Sequence, residues 1–229
     1  MNSFAPAPTL SALPFPQRAD DLYARIFDAI LEQRIDTASR FTEESLAQMF
    51  SARRSDIRGV LTQLSHQQVI VLRANHRPRV AALDSEQTRQ MLHARRLTET
   101  TLVRLACQQT GPQDLQPLRD LIESERNCTE SGAAIRLSGE FHLQLAKMAG
   151  NAPLAHFLGS LVRLTSLAIA QFEAEREGYC VWQVHQAILE AVERKDAVMA
   201  VTVLSRHLDY LEEALLNAGS SINRNRVAG

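Results

Sequence analysis

The stretch 50-FSARRSDIRGVL-61 decides how this chain is read. Ile57, Val60 and Leu61, followed by Leu64, recur at three- and four-residue steps, the spacing of a helix that buries one stripe. Arg53, Arg54, Ser55 and Arg58 stand at or near its N-terminal, outward side. A charge run taken alone reads as a solvated face. The neighbouring segments change that reading.

Upstream, Leu22, Ile26, Ala29 and Ile30 predict a helix over 19–33, ending near Arg34. Thr42 then opens TEESLA, with acids where they complement a helix dipole and with Leu46, Met49 and Phe50 as the apolar stripe of a short second helix. A break at Ser51-Ala52 precedes the arginine-led third helix. Downstream, the β-branched 69-VIVL-72 and the apolar 79-RVAA-82 flank a polar turn, predicting a two-stranded wing whose tip carries Arg73, His76 and Arg77. Helix, short helix, turn, helix and wing is the order of a winged helix-turn-helix. Residues 53–79 hold six arginines against one acid, Asp56, in a chain of formal net charge -1. The basic surface is therefore local, where such a fold meets double-stranded DNA.

From Asp84 onward the chain reads as helices in succession over about 85–109, 114–129, 133–149, 152–175, 181–194 and 196–216, punctuated by Gly111-Pro112, Gly150-Asn151 and Gly178. The expected fold class is mainly α: a mobile arm over 1–16, a winged helix-turn-helix over 17–83, a helical ligand-binding and dimerisation bundle over 84–216, and a flexible tail over 217–229. With 229 residues, 45% of them hydrophobic and only nine glycines and eight prolines, an all-β chain rich in tight turns is excluded. Three cysteines without CxxC spacing argue against a disulfide framework or a cysteine zinc site and fit a reducing, cytoplasmic setting. The cysteines and the single Trp182 read as packing residues. No uninterrupted apolar run reaches the ~18 to 20 residues that span a bilayer, so no membrane is expected as a partner.

These segments together resemble the GntR family of bacterial transcription regulators, in its FadR-like branch with an FCD effector domain. The likeness runs over about 19–216. In the N-terminal half, TEESLAQMFSARRSDIRGVLTQL is similar to the family signature E-x-x-L-A…S-R-T-P-V-R-E-A-L-x-x-L, with Arg54 and Arg58 on its two arginines. Asp56 and Gly59 depart from the signature, and Ala74-Asn75-His76 stands where the family's wing has a glycine. In the C-terminal half, His93-Ala-Arg-Arg-Leu-Thr-Glu99 resembles the opening of the effector domain, GEFHLQLAKMAGNAPL resembles its D-x-x-F-H-x-x-L…G-N-x-x-L segment, and VHQAILEAVE and LSRHL carry two further histidines.

The resemblance implies phosphate and base contacts from Arg53, Arg54, Ser55 and Arg58, with Arg73, His76 and Arg77 on the DNA backbone or minor groove. It also implies a cavity lined by His142, His185 and His207, with Arg95, beside Glu99, facing a small organic acid. Three neutral imidazoles suit Zn²⁺ or Ni²⁺. The family's aspartate one turn before the first histidine is Ser138 here, and Glu140 points to a different side of the helix. The expected protein is a homodimeric, ligand-responsive regulator, a repressor, and not an enzyme. Two alternatives stand beside it: a DNA-binding regulator with a decayed, metal-free effector site, and a three-histidine metal hydrolase.

Overall fold

A computed structural model describes residues 17–109, 111, 115–172 and 182–227. The N-terminal unit comprises α1 (Gln17–Leu31), α2 (Glu43–Phe50), α3 (Arg54–His66), β1 (Ile70–Val71) and β2 (Arg79–Val80). Thr42 caps α2 by accepting from the Ser45 amide while the Ser45 hydroxyl accepts from the Thr42 amide, so two orphan donors of the first turn are satisfied reciprocally. Ser51, with φ 51°, turns the chain between α2 and α3. Ile26, Phe27, Ile30, Leu46, Ile57 and Leu64 meet beneath it, almost wholly buried. Truncating one such aliphatic side chain to alanine costs about 2–5 kcal/mol, because the neighbours relax only partly into the space.

The stripe of α2 is narrower than its composition suggests. Leu46 and Phe50 are buried, whereas Met49 is 62% exposed, since Leu46 and Phe50 are one i,i+4 pair and Met49 falls at its edge. The wing pairs antiparallel, Ile70 with Val80 and Val71 with Arg79. Asn75 takes the positive φ, 61°, that a glycine would otherwise supply at the tip.

The bundle comprises α4 (Ser85–Gln109), α5 (Gln116–Arg126), α6 (Ser131–Met148), α7 (Ala152–Phe172), α8 (Trp182–Glu193) and α9 (Ala197–Val227). Asp84 opens α4 by accepting from the Gln87 amide. Helix α4 runs through the middle of the bundle, packed by α6, α7, α8 and α9. Gly150, φ 67°, makes the left-handed turn between α6 and α7. The segment Ala152–Gln171 is long and apolar enough, by length and composition, to cross a membrane, although His156 and Arg163 interrupt its apolar run. It is here a bundle helix, docked on α4 and α6. Trp182 is half-buried under the Arg126 guanidinium, 5.2 Å from its ring. Cys107 is buried, Cys128 is partly exposed, and both are free thiols; Cys180 lies outside the described residues.

Residues 217–227, expected as a flexible tail, continue α9. No proline follows Ala197, and extending a formed helix is far easier than starting one. The expected arm over 1–16 lies outside the described residues.

The two units share a seam. Arg136 on α6 donates to Asp28 of α1 at 2.7 Å and to Glu140 at 3.1 Å. Arg163 on α7 lies over the rings of Tyr23 and Phe27, 5.6 and 5.4 Å from their centroids. Gly132 lets α1 come close: a Cβ there would stand 2.8 Å from the Asp28 carbonyl oxygen. Gln171 completes the contact by donating to the Ala81 carbonyl at 2.7 Å.

Candidate functional site

Two groups of polar side chains fall outside the packing logic of the core. The first lies inside the bundle. His142 from α6, His185 from α8 and His207 from α9 are buried, and their candidate ligand atoms lie within 4.8 Å of one another. Ring centroids are 5.0 Å apart for His142 and His185, 5.4 Å for His142 and His207, and 5.6 Å for His185 and His207. Each Nε2 is buried without a hydrogen-bond partner. Leaving three such nitrogens unsatisfied is costly unless something else occupies the space between them.

Carboxylates hold two of the rings from behind. His185 donates from Nδ1 to Glu125 Oε2 at 2.7 Å, and Phe141 stacks on the same ring at 4.2 Å between centroids. Glu99 Oε2 lies 2.8 Å from His142 Nδ1, in contact although not aligned as a hydrogen bond. The other oxygen of Glu99 accepts from Arg95 Nε, one helical turn away on α4. Glu140, as expected, faces away and pairs with Arg136. Ser138 is buried on α6 one turn before His142.

Electrostatics follow from burial. Desolvation lowers His142 to about 4 against the opposing Glu99 charge, and lowers His185 to about 3. His207 is also held well below its ordinary value by burial and by the other two rings. All three are neutral near pH 7, the form that ligates a metal. Burial opposes the charge on Glu99, but the Arg95 and His142 charges together hold its carboxyl below the usual range. Burial pushes Glu125 up to about 7, against the smaller opposing effect of the His142 charge. The donor set fits a borderline divalent ion: three neutral imidazoles lie together, and the Glu125 hydrogen bond fixes the tautomer and orientation of the His185 ring.

The second group lies on the surface of the N-terminal unit. Arg53, Arg54, Ser55 and Arg58 are exposed at the start of α3, and Arg73, His76 and Arg77 are exposed on the wing. Arg58 donates to both oxygens of Glu43, at 2.9 and 2.7 Å, and Arg54 donates to the same carboxylate at 3.1 Å. Those two hydrogen bonds from Arg58, followed by that of Arg54, lower Glu43 to about 2.

Of the expected pocket residues, Arg95, Glu99, Ser138, His142, His185 and His207 are all buried. Arg96, the other candidate for the inward arginine, instead pairs with Asp209 and Glu212 on α9. Glu43 and Glu125 were not foreseen. Glu43 stands on the glutamate of the E-x-x-L-A signature, which names the residue but not its arginine partners, and nothing in the residues around Glu125 marks it.

A winged helix-turn-helix unit is thus joined to a helical bundle that buries three neighbouring histidines. A family model described as the FCD domain matches residues 90–210. The Nta operon transcriptional regulator of Aminobacter aminovorans is 24% identical over 188 residues, 80% of this chain and 89% of that protein. The Uxu operon regulator of Haemophilus influenzae is 26% identical over 133 residues, 55% of this chain and 50% of that protein. Among solved structures, E. coli McbR/YncC superposes with a TM-score of 0.71 at 15% identity, covering 89% of this chain and 99% of that one. A transcriptional regulator GntR from Rhodococcus sp. RHA1 gives 0.68 at 18% identity, with the same coverage. The chain belongs to the FCD domain family, and the curated relatives it resembles are operon regulators.

Proposed function

We propose that this chain is a cytoplasmic, homodimeric repressor that binds a pseudo-palindromic double-stranded DNA operator through residues 17–83 and senses a small organic acid through residues 84–216. Three buried histidines, with ligand atoms within 4.8 Å of one another and each with a partnerless Nε2, carry the effector half of this reading. His142, His185 and His207 hold a divalent ion, Zn²⁺ or Ni²⁺. When bound, the ion supplies a Lewis-acidic anchor for the carboxylate of the acid. Arg95 is the second anchor: its guanidinium has five N–H donors, more than Glu99 alone uses. With Ser138 in place of a carboxylate, the acid itself brings the negative ligand.

The DNA half rests on the exposed arginines at the start of α3 and on the wing. Phosphate contacts position such a helix in the major groove, and bidentate contacts from arginine to guanine read sequence. One helix-turn-helix reaches few base pairs, so a two-fold dimer on two half-sites supplies the rest. Arg136 and Gly132 join α1 to the helix that bears His142, a route by which occupancy of the histidine site alters the setting of the DNA-binding units.

Metal analysis of the purified protein, followed by operator titration with Zn²⁺ or Ni²⁺ and a panel of organic acids, tests both halves. A bound ion and a change of operator affinity of about 5- to 150-fold with one acid are expected. DNA binding that responds to no metal and no acid, with no thermal shift from either, would leave only the reading of a decayed effector site.

A further inference from the structure

The carboxylate of Glu43 serves neither the core nor the histidine pocket, yet it is shared by two arginines from a different helix. It sits in the first turn of α2 and meets Arg54 and Arg58 across the turn of the helix-turn-helix. The Arg58 contact is a fork on both oxygens, 2.9 and 2.7 Å, and the Arg54 contact at 3.1 Å falls on the oxygen that also accepts the shorter of those two. The arginine side chains are 61% and 64% exposed, but that of Glu43 only 23%. Two free arginines on one helical turn would sweep a wide range of rotamers, and ordering them would cost entropy at the moment of DNA binding. Held on one carboxylate, they are presented as a pair.

We propose that Glu43 is a specificity-determining residue of the DNA-binding surface, a fixed negative post that sets the positions of Arg54 and Arg58 and offsets part of their attraction for any phosphate. This inference rests on the DNA-binding half of the proposed function. The positioning favours bidentate contact with base edges, where geometry matters, over phosphate contact, where charge alone suffices. The carboxylate also removes one unit of positive charge from the face of α3, which lowers affinity for arbitrary sequence. Held ionised by its two cations, Glu43 keeps this role across the whole working pH range. Glu44, beside it, cannot take over: it approaches Arg54 only to 4.0 Å and is largely exposed.

The test uses the full-length chain. Duplexes enriched by the native protein from a random pool are competed against scrambled duplexes of the same composition, for the native chain, Glu43→Gln and the double variant Arg54→Ala/Arg58→Ala. Glu43→Gln keeps the shape and removes the charge. Expected are a specificity ratio at least about tenfold lower than native, scrambled-DNA affinity equal or higher, and a salt slope steeper by about one ion. Thermal melting of Glu43→Gln should superimpose on the native curve. A ratio within twofold of native, or a parallel loss on both duplexes with a lowered melting temperature, overturns the inference while DNA binding itself stands. A native chain that enriches no sequence, and is indifferent to the double arginine change, overturns both.

Discussion

Two sets of nitrogen-bearing side chains are organised by carboxylates in this molecule, one in water and one away from it. On α3 and α2, Glu43 gathers two exposed arginines; in the bundle, Glu99 and Glu125 back two buried imidazoles, with Arg95 on the far side of Glu99. The contacts are similar in length, but their consequences differ. At the surface, solvent screens the pair, so it steers side chains without contributing much to stability. In the bundle, removing one partner strands a charge or a lone pair that water cannot reach. The same chemical device is therefore a positioning element in one place and a structural obligation in the other.

The widest gap between the two regions should appear on deleting the carboxylate. Glu99→Ala leaves Arg95 buried and unpaired, and urea unfolding should register a loss of about 3–5 kcal/mol. Glu43→Ala should leave the unfolding midpoint unchanged within error. A comparable loss at both positions would break the comparison.

Acid should find the bundle next. His142 and His185 stay neutral in the fold down to about 4 and 3, whereas in the unfolded chain they take up protons below about 6.5. The unfolded state therefore binds more protons in that window, and the metal-free protein loses stability as pH falls from about 6.5 towards 4, each histidine contributing at most about 1.4 kcal/mol per pH unit. Glu125, raised to about 7, works in the opposite direction, one group against three depressed histidines. Unfolding midpoints measured across this range check the sign; a flat profile would mean that water reaches the pocket.

Smaller in energy is the effect on the metal. Glu125→Ala should weaken Zn²⁺ binding by about 10- to 100-fold in calorimetry, by freeing the His185 ring. Glu140→Ala, whose carboxylate faces Arg136, should not change it. The smallest expected effect lies at the surface: Arg58→Ala should lower operator affinity by about tenfold and reduce the salt slope by about one, with stability unaffected.

The N-terminal unit was legible in the sequence because its signals are local. Periodic Ile57, Val60 and Leu61, the Thr42 start and the β-branched runs each report on a single element. The trio of histidines was legible only through its motif context, since spacing along three helices does not say that the helices converge. Glu125 was not legible for the same reason: its partner His185 lies 60 residues away on another helix. Glu99 was singled out beside Arg95, but its second contact, with His142, depends on how α6 crosses α4. Met49 and the C-terminal extension of α9 show the complementary limit, where composition alone misjudges how wide a buried stripe is or how far a helix runs.

Gly132 has a consequence for modularity. The covalent boundary between the two units falls near residue 83, but the steric boundary does not, because a side chain at 132 would collide with the backbone of α1. Regulators of this architecture invite recombination by joining one DNA-binding unit to another effector domain. In this chain the interchangeable part is larger than residues 17–83: the graft must carry its own counterparts of Gly132, Arg136 and Arg163, or the recipient α1 must present a carbonyl, a carboxylate and two rings in the same places.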